Sequence, residues 1–290
     1  MRFSSLNGGD KRSRFDLAAE EGIIRVLKVE GAVFRNEFHY KLEYPSAYNL
    51  DVSELHHERI DAAIKRLEEK QIICQTGPRG RPPSSQIKEN IFYKLKDDPY
   101  NKPLEELMRK KSLYSQSIFD LASGQGFYAQ KLWVEAIHSL GYNILDEETN
   151  KYNGIEATTS GDIDIIAELD NDVFGVEIKN GLSYPGNIKN KFKIAIELGL
   201  FPVIIARNFS GNDRIWVNKN GGIFKIYQTA IFNPQYKEII EEAVNFLNLP
   251  IIFIEEIDDK VKNHLQQIIH NAIIIKEDFE ERQTRFKATI

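Results

Sequence analysis

Apolar residues recur at helical spacing in three segments of the first seventy residues. These segments span residues 16–29, 34–42 and 55–67, and each places its apolar side chains along one face of a helix. Gly31 and Pro45 are suited to end the first two, because glycine favours the left-handed C-cap and proline cannot continue a helix. Ser53 is suited to cap the third. The pattern therefore predicts three short helices.

The pattern changes from helices to strands after residue 70. Residues 71–76 and 90–96 are rich in apolar side chains, and the loop at 77–86 between them is rich in glycine and proline. Three helices followed by such a hairpin resemble the winged helix-turn-helix fold over residues 15–97. This resemblance implies a mainly α DNA-binding domain, which we place at residues 1–100.

The resemblance assigns DNA contacts to basic residues of the third helix and of the hairpin loop. A winged helix inserts its third helix into the major groove, which would present Arg59, Lys65 and Arg66 on the solvent side. In the loop, Arg79 and Arg81 stand in an Arg-Gly-Arg-Pro run similar to the core of an AT-hook, whose arginines lie in narrow minor grooves. Winged helices also serve as dimerisation or protein-docking modules, and the sequence leaves that alternative open.

The second part of the chain contains a tight hairpin of two apolar strands. Residues 162–169 and 173–179 form the strands, and the turn formers Asp-Asn-Asp join them. Side chains alternate between the two faces of a strand, so Glu177 and Lys179 lie on one face. Asp164, near the start of the first strand, is placed opposite Glu177.

Further elements surround this hairpin in an alternating order. Helices are predicted at residues 127–140, 187–198, 235–247 and 258–275, and strands at residues 201–207, 222–228 and 250–254, with residues 141–145 leading into a further strand. Alternating helices and strands predict an α/β unit whose helices cover a central sheet. We place this second domain at residues 101–290, with the boundary within the proline-bracketed turn formers of residues 96–103.

The polar groups of the hairpin have a defined chemistry. Two converging carboxylates suit Mg²⁺, which prefers oxygen ligands and retains several waters. Such a metal polarises a phosphoryl oxygen and lowers the pKa of a bound water, and a neighbouring lysine can orient that water. These groups favour phosphodiester hydrolysis. A surface hairpin with incidental ion pairs is the alternative interpretation.

At this segment the chain resembles the PD-(D/E)xK nuclease superfamily, which includes restriction endonucleases, Holliday-junction resolvases and Mrr-like enzymes. The resemblance covers residues 120–230. It implies an α/β/α core with a mixed central sheet, and it carries the catalytic positions of the family onto Asp164, Glu177 and Lys179. The proline of the family motif is Ile163 here.

The same resemblance implies further metal ligands. Members similar to the resolvases carry a glutamate on the helix before the first strand, and that position is Gln130 here, a weaker and uncharged ligand. Asp162 is a substitute carboxylate, and the backbone carbonyl of Ile178 is an additional ligand. The implied cofactor is Mg²⁺, with Mn²⁺ as an alternative. Because Gln130 stands at this position, the alternative of a nuclease fold that has lost catalysis and is kept for binding also remains.

Composition limits the class of protein. The chain has 290 residues, of which 42% are hydrophobic and 28% charged, and this balance is typical of globular proteins with a substantial core. A single cysteine, Cys74, excludes an internal disulfide and a multi-cysteine metal site, and it favours a reducing cytoplasm. Long apolar runs and an apolar leader are missing from the sequence, so we expect neither a membrane span nor a signal peptide.

Charge is unevenly distributed along the chain. The net charge is −5, but residues 1–112 hold 21 Lys and Arg against 18 Asp and Glu, whereas the remainder holds 17 against 25. The basic first 112 residues suit a nucleic-acid partner. In the acidic remainder, Lys189 and Lys193 lie on a predicted helix and are candidates for phosphate contact, with a merely solvated helix face as the alternative.

The sequence as a whole predicts a Mg²⁺-dependent DNA endonuclease with a winged-helix DNA reader. A type II restriction endonuclease is the first choice, acting on double-stranded DNA as a homodimer because one active site per chain cuts one strand. The alternatives are a structure-specific repair or recombination nuclease and a non-catalytic DNA-binding regulator.

Overall fold

A computed structural model describes residues 13–42, 48–52, 55, 57–76, 91–96, 104–122, 124–180, 185–207, 211–227, 229–249 and 251–289. The chain divides into two compact units. The first comprises Met1–Gln116 and Leu247–Leu249, and the second comprises Ser117–Phe246 and Pro250–Ile290. The predicted domain boundary between residues 100 and 101 lies outside the described residues and stays a prediction.

Ten α-helices lie within the described residues. They are α1 (Arg14–Glu30), α2 (Arg35–Leu42), α3 (His57–Glu69), α4 (Leu104–Ala122), α5 (Gln125–Ser139), α6 (Pro185–Glu197), α7 (Gly211–Lys219), α8 (Lys237–Leu247), α9 (Asp259–Ile274) and α10 (Lys276–Lys287).

The strands of the same residues form four separate sheets. The strands are β1 (Val33–Phe34), β2 (Ile73–Thr76), β3 (Phe92–Leu95), β4 (Asn143–Thr149), β5 (Lys151–Tyr152), β6 (Ile155–Glu156), β7 (Ile163–Leu169), β8 (Asp172–Lys179), β9 (Phe201–Ala206), β10 (Ile223–Ile226), β11 (Ala230–Phe232) and β12 (Ile251–Phe253).

The first unit packs three helices against a small antiparallel sheet of order β1-β3-β2. Ser13 begins α1 with a capping box in which its hydroxyl accepts from the N–H of Asp16 and its own N–H donates to the Asp16 carboxylate. Gly31 ends α1 at φ +77°, a backbone conformation that glycine adopts without steric cost. The apolar stripes of α1 and α3 meet in one core with Val33, Ile73 and Tyr93.

The second unit contains a mixed five-stranded sheet of order β10-β9-β8-β7-β4. The β7–β8 hairpin at its centre is antiparallel, and β4 is antiparallel to β7. Strands β8, β9 and β10 run parallel to one another. The molecule is therefore a mixed α/β protein with a mixed central sheet, as the sequence predicts.

Helices cover both faces of this sheet. On one face, α5 and α9 bury a core against alternate residues of the strands, including Val176 and Ile178 of β8. On the other face, α6, α7 and α10 pack against residues such as Ile204 and Ala206 of β9. Glu177 is 0% exposed and, by alternation, faces the α6 side.

Two features fix α6 against the sheet. Phe192 of α6 meets Trp216 of α7 and Phe286 of α10 in edge-to-face contacts, with ring centroids 5.0 and 5.4 Å away. On the strand side, a Cβ at Gly175 would lie 3.1 Å from the Cβ of Ala195. Glycine at this position therefore permits the close approach of α6 to β8.

Some elements depart from the sequence prediction. The predicted helices and strands form with shifts of a few residues at their ends, whereas α4, α7, α10, β1, β5, β6 and β11 have no counterpart in the prediction. The predicted strand at 250–254 is β12, which pairs in parallel with β11 and forms a separate two-stranded sheet. In the described part of the chain, no helix combines the length and the apolar character needed to cross a lipid bilayer.

Candidate active site

The β7–β8 hairpin opens at the end where Asp164 and Glu177 lie. Its ladder pairs Leu169 with Asp172 at the turn and Ile165 with Val176 at the other end. Beyond that pair, Oδ2 of Asp164 accepts the N–H of Ile178 at 2.6 Å. The Asp164 carboxylate thus accepts a strand N–H that a backbone carbonyl would otherwise accept. This bond holds Asp164 beside the segment that carries Glu177 and Lys179.

Glu177 is a fully buried carboxylate whose partners are ammonium groups. Neither of its oxygens accepts a hydrogen bond of ordinary geometry. Its charge is met by an ion pair from Oε1 to Lys179 and by Nζ of Lys191 at 3.4 Å from Oε2. Burial, and then the nearby negative charge of Asp164, raise the pKa of Glu177 to about 7.

The two aspartates of the site differ in their electrostatic state. Burial raises the pKa of Asp164, against the opposing effects of the Ile178 N–H and the nearby lysines. Asp162 is half exposed, and the hydrogen bond from Lys191 lowers its pKa. Burial therefore disfavours the ionised forms of Asp164 and Glu177, whereas the bond from Lys191 favours the ionised form of Asp162.

Lys191 is a residue of the site that the sequence analysis did not single out. Its Nζ lies 2.7 Å from both Oδ1 and the backbone oxygen of Asp162. On α6 it shares a face with the buried residues Ile188 and Ala195, three positions before and four positions after it. That spacing is a signal in the sequence that separates it from the lysines at 189 and 193.

Gln130 lies beside the site without completing a group of metal ligands. Its side-chain nitrogen is 3.3 Å from the backbone oxygen of Asp164 and 3.4 Å from Oε1 of Glu148. Across the residues that the structure describes, no three His, Cys, Asp or Glu side chains form a group able to hold a metal ion.

The residues present nevertheless suit one divalent cation. Asp164 and Glu177 lie close enough for the charge of one to raise the pKa of the other, and burial raises the pKa of both, so a bound cation would favour their ionised forms. Asp164, Glu177 and the carbonyl of Ile178 would hold such an ion. The carbonyl is suited because the N–H and C=O of a strand residue point toward the same edge, and this N–H points at Asp164.

A polar network holds the backbone that follows Lys179. The side chain of Asn180 donates to the backbone oxygens of Gln125 and Ile231 and accepts from the N–H of Ile231. The hydroxyl of Tyr227 donates to the backbone oxygen of Lys179 at 3.1 Å. These buried contacts join β8, α5 and β11, and they fix the strand end that carries Lys179.

The loop before β7 is held by α6. Glu197 accepts the backbone N–H groups of Thr158 and Thr159 and the hydroxyl of Thr159. Lys191 binds Asp162 a few residues later. Helix α6 therefore holds both the loop before β7 and Asp162, the segment that leads to Asp164.

The predicted DNA-binding residues of α3 differ in what they contact. Arg59 pairs with Asp16 at 3.3 Å, and Arg66 pairs with Glu20 at 2.7 Å, so both arginines turn toward α1. Lys65 is exposed. Arg59 and Arg66 are thus tied to acidic groups of the same unit.

The remaining predicted DNA contacts are placed only in part. Lys189 is exposed and lies 5.6 Å from the centroid of the Trp216 ring, and Lys193 is partly exposed on the same helix. Arg79 and Arg81 lie outside the described residues. DNA contact by any of these residues stays a prediction.

Comparisons with known proteins give no match: none of the protein-family models, curated proteins or solved structures compared with this chain matches it.

Proposed function

We propose that this chain is a metal-dependent DNA endonuclease that hydrolyses phosphodiester bonds. The observation that carries the proposal is the convergence of Asp164, Glu177 and Lys179, joined by the Ile178 N–H bond to Asp164 and by the Lys179–Glu177 ion pair. One buried and one partly buried carboxylate beside a lysine suit the cleavage of a negatively charged diester, because they can hold a cation while the ammonium group stays near the reacting water.

Each residue of the cluster has its own part in this proposal. Asp164, Glu177 and the Ile178 carbonyl would hold Mg²⁺, with Mn²⁺ as an alternative, and Asp162 and Gln130 border the position. The bound metal would polarise the phosphate and acidify a water. Lys179, one quarter exposed, would orient that water and offset the negative charge that develops on the phosphate.

The architecture supports the same proposal. A mixed sheet with helices on both faces and an active hairpin at its centre is similar to the restriction-endonuclease-like core. In the first unit, the order helix, strand, helix, helix, strand, strand and the β1-β3-β2 sheet are similar to a winged helix. A reader domain joined to a nuclease domain favours a type II restriction endonuclease, acting on double-stranded DNA as a homodimer.

One observation favours a second candidate, a structure-specific repair or recombination nuclease. Arg59 and Arg66 are engaged by Asp16 and Glu20, which leaves fewer charges on α3 for reading base edges. An enzyme that recognises DNA shape needs fewer such contacts. A third candidate, a DNA-binding regulator without catalysis, is favoured only by the uncharged Gln130 beside the site.

Incubation of the protein with plasmid, with a branched DNA junction and with Mg²⁺ separates the three candidates. We expect discrete plasmid fragments. Cleavage of the junction alone would favour the structure-specific nuclease, and no cleavage with Mg²⁺ or Mn²⁺ would refute both enzymes.

The site assignment has its own variant and control. Lys179→Ala should lower the cleavage rate by roughly 10²–10⁴-fold, the range for removal of a positioned catalytic group, while DNA binding persists. Lys219→Ala removes an exposed lysine of α7 and should cut at the wild-type rate. Undiminished cleavage by the Lys179 variant would refute the assigned site.

A further inference from the structure

Lys191 bridges two carboxylates of the candidate active site from outside the hairpin. Its Nζ lies 2.7 Å from Oδ1 of Asp162 and 3.4 Å from Oε2 of Glu177. Its side chain is only 17% exposed, and its helix is fixed to the sheet through Phe192. Lys191 is therefore a built part of the site and not a surface lysine that happens to lie near it.

The charges of the cluster set a limit on the number of metal ions. Asp162, Asp164 and Glu177 carry three negative charges when ionised, and Lys179 and Lys191 carry two positive charges, which leaves one negative charge. One divalent cation would turn this into one positive charge, which suits a phosphodiester. A second cation would have to enter beside the Lys191 ammonium and would meet its repulsion.

We propose that Lys191 takes the place of a second metal ion, so that the site binds a single divalent cation. The inference rests on the proposed nuclease function and adds the number of metal ions to it. Two observations support it. The ammonium joins Asp162 to Glu177 as a bridging cation would, and the nearby Gln130 contributes no charge for a second ion.

Counting bound Mn²⁺ by electron paramagnetic resonance tests this inference without any substrate. Because the acidic chain can bind Mn²⁺ elsewhere, each count is taken as the excess over the double variant Asp164→Asn/Glu177→Gln. We expect an excess of one ion for the wild type. For Lys191→Ala we expect an excess of two, with the first bound roughly tenfold more tightly because a nearby positive charge is gone.

Two further variants keep the test interpretable. Lys191→Gln retains polar contact with Asp162 and serves if the alanine variant does not fold, as checked by circular dichroism. Lys219→Ala removes one exposed positive charge elsewhere in the second unit and should keep the excess of one ion.

The outcomes separate this inference from the proposed function. An excess of two for the wild type, or of one for both Lys191 variants, would overturn the role of Lys191. An excess of one that rises to two on Lys191 substitution, in a protein that cuts no DNA, would support the single-ion site and refute the nuclease. No excess for the wild type would overturn both.

Discussion

Glu177 has no exposed surface, so its charge depends on the groups packed around it. Burial and the charge of Asp164 raise its pKa to about 7, from an ordinary value of 4.5. Between these two values the folded state keeps a proton that the unfolded state has lost. Stability then falls as pH rises, because the folded state binds more protons than the unfolded state.

We therefore expect metal-free wild-type protein to lose stability relative to Glu177→Gln as the pH rises from about 4.5 to about 7. The difference in the free energy of unfolding should change by on the order of 2–3 kcal/mol across this window and then level off. Urea unfolding in EDTA at a series of pH values measures it.

The matched control is Glu135→Gln, on the exposed face of α5. Its unfolding free energy should run parallel to that of the wild type at every pH. A constant difference between wild type and Glu177→Gln from pH 4.5 to pH 8 would contradict the shifted titration of this carboxyl.

Strand alternation was sufficient to place the three motif residues but not Lys191. The period of two predicts which side chains of β8 share a face, so the closeness of Asp164, Glu177 and Lys179 followed from local pattern. Helical spacing sets Lys191 apart from the lysines at 189 and 193, but it does not show which strand residue Lys191 meets. Only the packing of α6 on β8 brings one of them to Glu177, since that contact joins residues 14 positions apart on different elements.

At the scale of elements, the sequence predicted the longer helices and strands with apolar faces and missed elements that are short or have a partly polar buried face. Helix α4 buries Met108, Lys111, Ser115 and Ile118. Because two of these four residues are polar, the sequence shows no helical repeat of apolar residues there. β11 and β12 were also hard to predict as a pair, because each is only three residues long and they lie about twenty residues apart.

The buried lysine of α4 has a specific stabilising role in the first unit. Nζ of Lys111 donates to Oε1 of Glu37 at 2.7 Å, to Oε2 of Glu30 at 3.2 Å and to the backbone oxygen of Ala32 at 2.8 Å. Lys41 also contacts both glutamates. Removal of Lys111 would leave the fully buried Glu37 with one ammonium partner 3.4 Å away.

Lys111→Met should therefore lower the free energy of unfolding by roughly 3–5 kcal/mol, the cost of leaving a buried charge without its partner. Adding Glu37→Gln should recover part of that loss, because the uncompensated charge is then gone. Thermal and urea unfolding measure both. The control Arg109→Met, at an exposed pair with Glu106, should lower stability far less, because exposed ion pairs contribute little to it. Equal losses for Lys111→Met and Arg109→Met would refute this role.

At the scale of the whole molecule, the net charge of −5 says little about a nucleic-acid partner. Part of the acidity is paired internally, as with Asp16 and Glu20 against the arginines of α3. Part of it forms the candidate metal site. DNA affinity depends on the basic side chains that can contact phosphates, and these are fewer than all the Lys and Arg residues.

The salt dependence of DNA binding by the full chain tests this distinction, because each phosphate contact contributes about −0.9 to the slope of log K against log salt. Lys65→Ala should make that slope shallower by about 0.9, and Arg79→Ala/Arg81→Ala by about twice that amount. Arg59→Ala should leave it unchanged, because Asp16 and Ser13 already engage this guanidinium. Fluorescence anisotropy with a labelled duplex at several salt concentrations gives the slopes. A slope near zero for the wild type would refute DNA binding. If Arg59→Ala made the slope shallower by as much as Lys65→Ala does, the ion pair with Asp16 would not keep Arg59 from contacting DNA.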